Sequence, residues 1–191
     1  MPKIRIQQRP FLTSPELFQG LSPLLAQILA RRGVQSELEL ELKLKHLLAP
    51  QMKGLEQAIQ IVDEAIDTHQ KIVIVGDYDA DGATSTALMV LALREMGADV
   101  EYLVPDRFKY GYGLTPKIAD LAFERFQPDL LITVDNGISS HTGVKQAQLH
   151  GMKVIITDHH LTTKETPDAE AVVNPNQLGC DFPSKALAGV G

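Results

Sequence analysis

Three short apolar runs in this chain end in acid. Ile72 to Val75 (IVIV) passes through Gly76 into Asp77, Asp79 and Asp81; Leu130 to Val134 ends at Asp135; Val154 to Thr157 ends at Asp158, with His159 and His160 directly behind it. Aspartates spaced two apart on an extended segment place their carboxylates on one side of the chain. Carboxylates that close repel, so without a cation among them at least one would take up a proton; a divalent metal is the economical counter-charge. Oxygen ligands with one or two imidazoles suit Mn²⁺ or Mg²⁺ and not a thiol-loving ion. Two such ions, bridged by a central aspartate such as Asp135, would lie about 3.5–4 Å apart, a spacing at which they polarise a phosphoryl group and activate water. The chemistry this points to is hydrolysis of a phosphate ester or anhydride. Arg107, in the loop from Pro105 to Gly113, and Gly111 of the same loop are candidate phosphate contacts. Taken singly, an aspartate behind a strand is a turn former or a helix cap; it is the joint occurrence of three acid-tipped runs that carries the metal reading.

Those residues converge only if the runs belong to one sheet, and the intervening sequence predicts that they do. Ile72 to Val75 is β-branched and bounded by polar residues, the pattern of a strand buried on both faces. Strands are expected also at Val100 to Val104, Leu130 to Val134, Val154 to Thr157 and, short, at Ala171 to Val173. Between them lie helical patterns: one opened by Gly82 and closed by Gly97, one capped by Thr115 and running to Phe126, and one from Ile138 to Leu149. Strands alternating with helices of about a dozen residues predict an α/β fold, a parallel sheet flanked by helices. In such a sheet the carboxyl ends of the strands share one edge, where ligands bind. The helix starts behind Gly82 and Gly137 would offer backbone N–H groups to an anion there.

Upstream, Leu55 to Gln70 is an amphipathic helix with Ile59, Val62 and Ile66 inward. Residues 1–52 read as a helical amino-terminal region and 53–191 as the α/β domain. Within the former, Ser22 and Pro23 open a helix that Gly33 closes, with Leu24, Leu25, Ile28 and Leu29 on one face. Glu37 to Lys45 (ELELELKLK) alternates like a strand but is built of strong helix formers, and helix is the expectation. Tyr78 and Tyr110 are expected to pack.

Composition bounds the rest. Of 191 residues 44% are apolar, enough for a real core. No apolar run nears the roughly 18 residues of a membrane span, and MPKIRIQQRPF lacks the apolar stretch of a signal peptide, so the expected compartment is the cytoplasm and no membrane partner is expected. The single cysteine, Cys180, excludes an intramolecular disulfide and a Cys-based zinc site. Net charge is −6; residues 1–70 balance at eight basic against eight acidic, so the excess lies in 71–191, ten against sixteen. Five of those sixteen are the candidate site aspartates, and two divalent cations would offset four charges, so acidity does not exclude a polyanionic partner.

Taken together, GDYDADGATS, VPDRFKYGYGL, TVDNGISSH, TDHH and NPN followed by FPSKALAGVG resemble the DHH phosphoesterase superfamily, and within it the bacterial single-strand exonucleases. The resemblance runs along essentially the whole chain. It implies a metal-dependent hydrolase degrading single-stranded DNA from the 5′ end in recombination and repair, with two Mn²⁺ or Mg²⁺ ions, and with a single-strand-binding protein and a helicase as further partners. Carried onto this sequence, Asp79 and Asp81 match first-motif metal ligands, and Asp77 matches a position that is His in some relatives. Asp135 matches the bridging ligand, His159 a third-motif ligand, and His160 the contact to the scissile phosphate. Asp158 would orient the histidine pair. Asp81, Asp135, Asp158 and His160 are thus the expected catalytic set. The resemblance also implies that Gly191 precedes further helices and a fourth metal-binding aspartate, so that residues 1–191 alone are expected to be unstable or inactive. A small-substrate phosphoesterase acting on oligoribonucleotides or cyclic dinucleotides, and a non-catalytic scaffold in a repair or replication assembly, are the alternatives.

Overall fold

The computed structural model describes residues 7–41, 43–162 and 165–191. The chain divides into two compact units, Met1–Pro50 and Gln51–Gly191.

In the first unit, α1 (Pro23–Arg32) begins as its sequence predicts: Ser22 Oγ accepts the Leu25 N–H, Pro23 opens the helix and Gly33 closes it in the left-handed region. Its buried face differs from the expected one. Ala26 and Ala30 pack with Phe18 and Leu29, while Leu24, Leu25 and Ile28 are exposed. The alternating segment is neither strand nor long helix. It makes two isolated 3₁₀ turns, Glu37–Leu40 and Leu44–His46; residue 42 lies outside the described residues, as do residues 1–6 of the amino-terminal reading. Strand period and helix propensity oppose each other there, and neither prevails.

The second unit is a five-stranded, wholly parallel sheet. Its strands are β1 (Lys71–Val75), β2 (Asp99–Leu103), β3 (Leu130–Val134), β4 (Lys153–Thr157) and β5 (Ala171–Val173), in the order β2-β1-β3-β4-β5. Residues alternate faces along each strand. Ile72, Ile74, Leu130, Ile132 and Ile155 therefore face one layer, where Ala58 and Ala65 of α2 (Leu55–Asp67) and Val90 and Leu93 of α3 (Ala80–Glu95) meet them. Val73, Val75, Leu131, Val154 and Ile156 face the other, against α5 (Pro116–Phe126) and α6 (His141–Leu149). All five residues of β3 are buried, as a central strand covered on both sides requires. On α2 the alanines let helix and sheet approach closely, and Ile59, expected inward, is exposed.

From β1 the chain steps outward to β2, then returns past β1 to β3 on its other side. That reversal opens a crevice between the carboxyl ends of β1 and β3, the place where ligands bind in open α/β sheets. Two helix starts differ from expectation. α3 begins at Ala80, capped by Asp79, whose side chain accepts the Gly82 N–H. α6 begins at His141, three residues late. The loop off β2 contains one helical turn, α4 (Arg107–Tyr110), capped by Asp106.

Candidate metal centre

Asp135 is at the middle of the crevice. It leaves β3 with φ +61°, a left-handed conformation that an aspartate tolerates better than most residues, and this turns the chain sharply at the strand tip. The next residue secures the turn. Buried Asn136 donates from Nδ2 to Val75 O at 3.0 Å and Val134 O at 2.9 Å, tying the ends of β1 and β3 together. Gly137 follows with φ +115°, and a Cβ there would lie 2.6 Å from Thr133 Oγ1.

The Asp135 side chain is 2% exposed. Its Oδ1 lies 3.0 Å from His159 Nε2 but without the alignment of a hydrogen bond, and no group among the described residues satisfies it. Burial, then the charges of Asp81 and Asp79, push its pKa up to about 6 in spite of His159 and His160. Such a buried, unsatisfied carboxylate oxygen calls for a counter-ion. Two groups of potential ligand atoms, each mutually within 4.8 Å, meet on this residue: Asp77, Asp79 and Asp135 on one side, Asp135, His159 and His160 on the other. The donors are carboxylates and imidazoles with no thiolate, which fits Mn²⁺ or Mg²⁺.

The surrounding groups are held firmly. Asp158, 1% exposed at its side chain, accepts the Ile138 N–H at 2.8 Å on Oδ2 and the His159 and His160 N–H groups at 2.7 and 3.0 Å on Oδ1. Its Oδ1 also lies 2.7 Å from His160 Nδ1. Burial opposes the charged form of His160, but the bond to Asp158 together with the charges of Asp158, Asp135 and Asp77 outweighs it and the imidazole pKa is raised. Asn174, fully buried, donates to His160 O, and Asn176 donates to His159 O. The Asn-Pro-Asn turn after β5 thus fixes the backbone of both histidines. Asp79 is held below the usual carboxylate range chiefly by the Gly82 N–H bond, against the effect of burial.

Three expectations change. The three aspartates do not share an extended segment: Asp79 caps α3 and Asp81 lies within its first turn, so Asp81 falls outside both ligand groups. Asp81 Oδ2 lies 3.5 Å from His159 Nε2, and its two oxygens accept the Gly189 and Val190 N–H groups. The two N–H groups next to the expected helix starts are already taken: Gly82 N–H donates to Asp79 and Ile138 N–H to Asp158. Arg107 reaches a carboxylate, its Nη2 2.9 Å from both oxygens of Asp77, which raises its pKa. Gly111 ends α4 with φ +88° and lines a small crevice with Arg107, Asp77 and Asn136.

Two aromatic residues join the site. Tyr78, expected to pack, is half exposed beneath the Arg107 guanidinium, 3.8 Å from the ring centroid; Tyr110 does pack against the core. Tyr112, which sequence reasoning passed over, places its hydroxyl 3.3 Å from His160 Nε2 and its ring 5.2 Å from Arg107. Burial and the charges of Asp158, Asp77 and Asp135 push the phenol up to about 12, so it remains a proton donor at neutral pH. The available signal was the GYGL turn, whose two positive-φ glycines, Gly111 and Gly113, flank it.

The DHH family, N-terminal domain, matches residues 71–191, the stretch that contains every group of the site. The chain belongs to the DHH family. Among curated proteins, this DHH chain is 49% identical over 191 residues to the single-stranded-DNA-specific exonuclease RecJ of Escherichia coli (strain K12), a match covering 99% of this chain and 33% of that protein. It is 54% identical over 171 residues to RecJ of Haemophilus influenzae, covering 88% of this chain and 30% of that one. The chain thus spans about a third of the length of these relatives. Among solved structures, a manganese-bound exonuclease RecJ superposes with a TM-score of 0.68 at 38% identity, over 76% of this chain and 37% of that one. RecJ from Thermus thermophilus in complex with Mn²⁺ gives 0.66 at 32% identity, over 92% and 25%. The DHH chain therefore has the parallel sheet with flanking helices that its sequence predicts.

Proposed function

We propose that this chain carries the metal centre of a single-stranded-DNA-specific exonuclease that hydrolyses phosphodiester bonds from the 5′ end. The observation that carries the reading is Asp135, a buried carboxylate with one unsatisfied oxygen, common to two groups of potential ligands. The names of the relatives supply the substrate class, and the manganese in the superposed structures agrees with the donor set. Asp77, Asp79 and Asp135 would hold one Mn²⁺ or Mg²⁺, and Asp135 with His159 a second, with Asp81 close by. Divalent cations there would polarise a phosphoryl oxygen and activate water.

The chain's own groups would do the rest. Asp158 fixes the His160 ring through Nδ1, which leaves Nε2 facing the crevice beside the Tyr112 hydroxyl, where the pair can hydrogen-bond a phosphate oxygen. Arg107, already over the crevice, can exchange its bond with Asp77 for one with phosphate once a metal neutralises that carboxylate. Tyr78 and Tyr112, each half exposed beside it, would be the rings for a base to stack on once Arg107 turns to phosphate.

The same reading assigns the protein to recombination and repair in the cytoplasm, beside a single-strand-binding protein and a helicase. Among the described residues no helix is long and apolar enough to cross a membrane. The test is nucleotide release from 5′- and 3′-labelled single strands in Mn²⁺, by a polypeptide that continues this chain to the length of its relatives. Release from the 5′ end, lost in Asp135→Asn and His160→Ala, is expected. Release that survives both substitutions would refute the assignment.

A further inference from the structure

Nothing in the proposed chemistry accounts for the way Asp81 is held. Gly189 N–H donates to its Oδ2 at 2.8 Å and Val190 N–H to its Oδ1 at 2.9 Å, so two successive backbone amides grip both carboxylate oxygens across more than a hundred residues of chain. The approach depends on glycine. A Cβ on residue 189 would lie 2.6 Å from Asp135 Oδ1, the unsatisfied oxygen at the centre of the site. The segment is also tied to the histidines: Asn176 Nδ2 donates at once to His159 O and to Lys185 O. Lys185 Nζ in turn bonds Pro175 O and Cys180 O, bracing the loop that leads to residue 189.

We infer that the Gly189–Val190 backbone is a positioning clamp for the metal centre, holding Asp81 toward His159 and Asp135 and thereby raising the affinity for divalent cations. The inference rests on the metal reading above. Each amide uses one lone pair of one oxygen and leaves the other free. Without the clamp, repulsion from Asp79 and Asp135 would favour turning the Asp81 carboxylate away into water. With it, the two N–H dipoles offset part of that repulsion and the carboxylate stays beside His159 Nε2. Groups that orient a metal's ligands in this way change its affinity by about 10–100-fold when removed. Coupling is reciprocal, so bound cation must tighten the clamp by the same factor.

Two measurements on the chain, carried in the polypeptide extended to the length of its relatives, test this. In calorimetric titrations with Mn²⁺, Val190→Pro, which deletes the N–H on Asp81 Oδ1, should bind about 10–100-fold more weakly, whereas Val190→Ala, which keeps it, should bind like the parent. In hydrogen exchange followed by mass spectrometry, which the paramagnetic ion does not disturb, the Gly189 and Val190 amides of the unaltered chain should exchange at least about tenfold more slowly when saturated with Mn²⁺. Parent-like affinity in Val190→Pro, or exchange that is unchanged or faster with Mn²⁺ bound, would overturn the clamp while leaving the metal reading standing. A parent chain that binds no Mn²⁺ would overturn both.

Discussion

Replacing Asp158 with alanine should cost this fold more than any other single change at the site, because one buried carboxylate serves three backbone donors and a ring nitrogen. The Ile138 N–H is buried and would lose its partner outright, at about 1–3 kcal/mol. The His159 and His160 amides lie nearer the surface and can turn to water, so each adds roughly 0.5–1 kcal/mol. The sum is about 2–5 kcal/mol, which for a chain of this size corresponds to a melting temperature lower by roughly 10 °C. Asp158→Asn keeps one carbonyl oxygen and should cost about half as much. Thermal unfolding followed by circular dichroism in chelator-treated buffer reads both without interference from metal. A fall of less than about 3 °C for the alanine variant would mean that water satisfies Ile138 N–H after all, and that Asp158 does not hold the histidine turn in place.

Other outcomes are equally checkable. Arg107→Gln removes the cation paired with Asp77, so Mn²⁺ should bind a few-fold more tightly by calorimetry; weaker binding would place Arg107 among the groups that assemble the site. Tyr112→Phe deletes the hydroxyl beside His160 Nε2, and in the extended polypeptide the single-turnover rate should fall by up to about tenfold, the equivalent of ~1.4 kcal/mol; an unchanged rate would make the contact idle. Far from the site, Asp120 is held below its ordinary pKa of 3.8, first by its hydrogen bond to His150 and then by Gln146. A carboxyl depressed in the folded state stabilises above its unfolded pKa and loses that contribution as the pH falls through the folded one. Asp120→Asn should therefore lower the unfolding free energy in urea slightly near pH 6, by under about 1 kcal/mol because the group is partly exposed, and the difference should shrink as the pH falls below about 4. A difference that persists in acid would show that charge is not its origin.

The parallel sheet and the convergence at its edge were legible because both are written locally. Ile72 to Val75, Leu130 to Val134 and Val154 to Thr157 are short, β-branched and acid-tipped, and a parallel sheet brings all such tips to one edge. What was not legible depends on contacts between segments that carry no mark of each other. Arg107 looked free for phosphate because its partner, Asp77, is thirty residues away in another loop. Tyr112 reaches His160 only because α4 takes one helical turn before Gly111, and the DYDADG run bends because Asp79 caps a helix instead of continuing the strand. The inward faces of α1 and α2 were read only in part: Leu29, Val62 and Ile66 pack inward as expected, whereas Leu24, Leu25, Ile28 and Ile59 are exposed. Leucines and isoleucines mark the apolar side, but alanines are the most deeply buried residues of both helices, since a small side chain lets the backbones approach.

Anomalous diffraction from crystals of the Mn²⁺-loaded chain bears most directly on the metal centre. Two manganese peaks about 3.5–4 Å apart are expected, with the Asp135 carboxylate reaching both, Asp77 and Asp79 on one and His159 on the other. Manganese bound only at sites remote from Asp135, or a loaded crevice in which Asp135 touches no ion, would contradict the account.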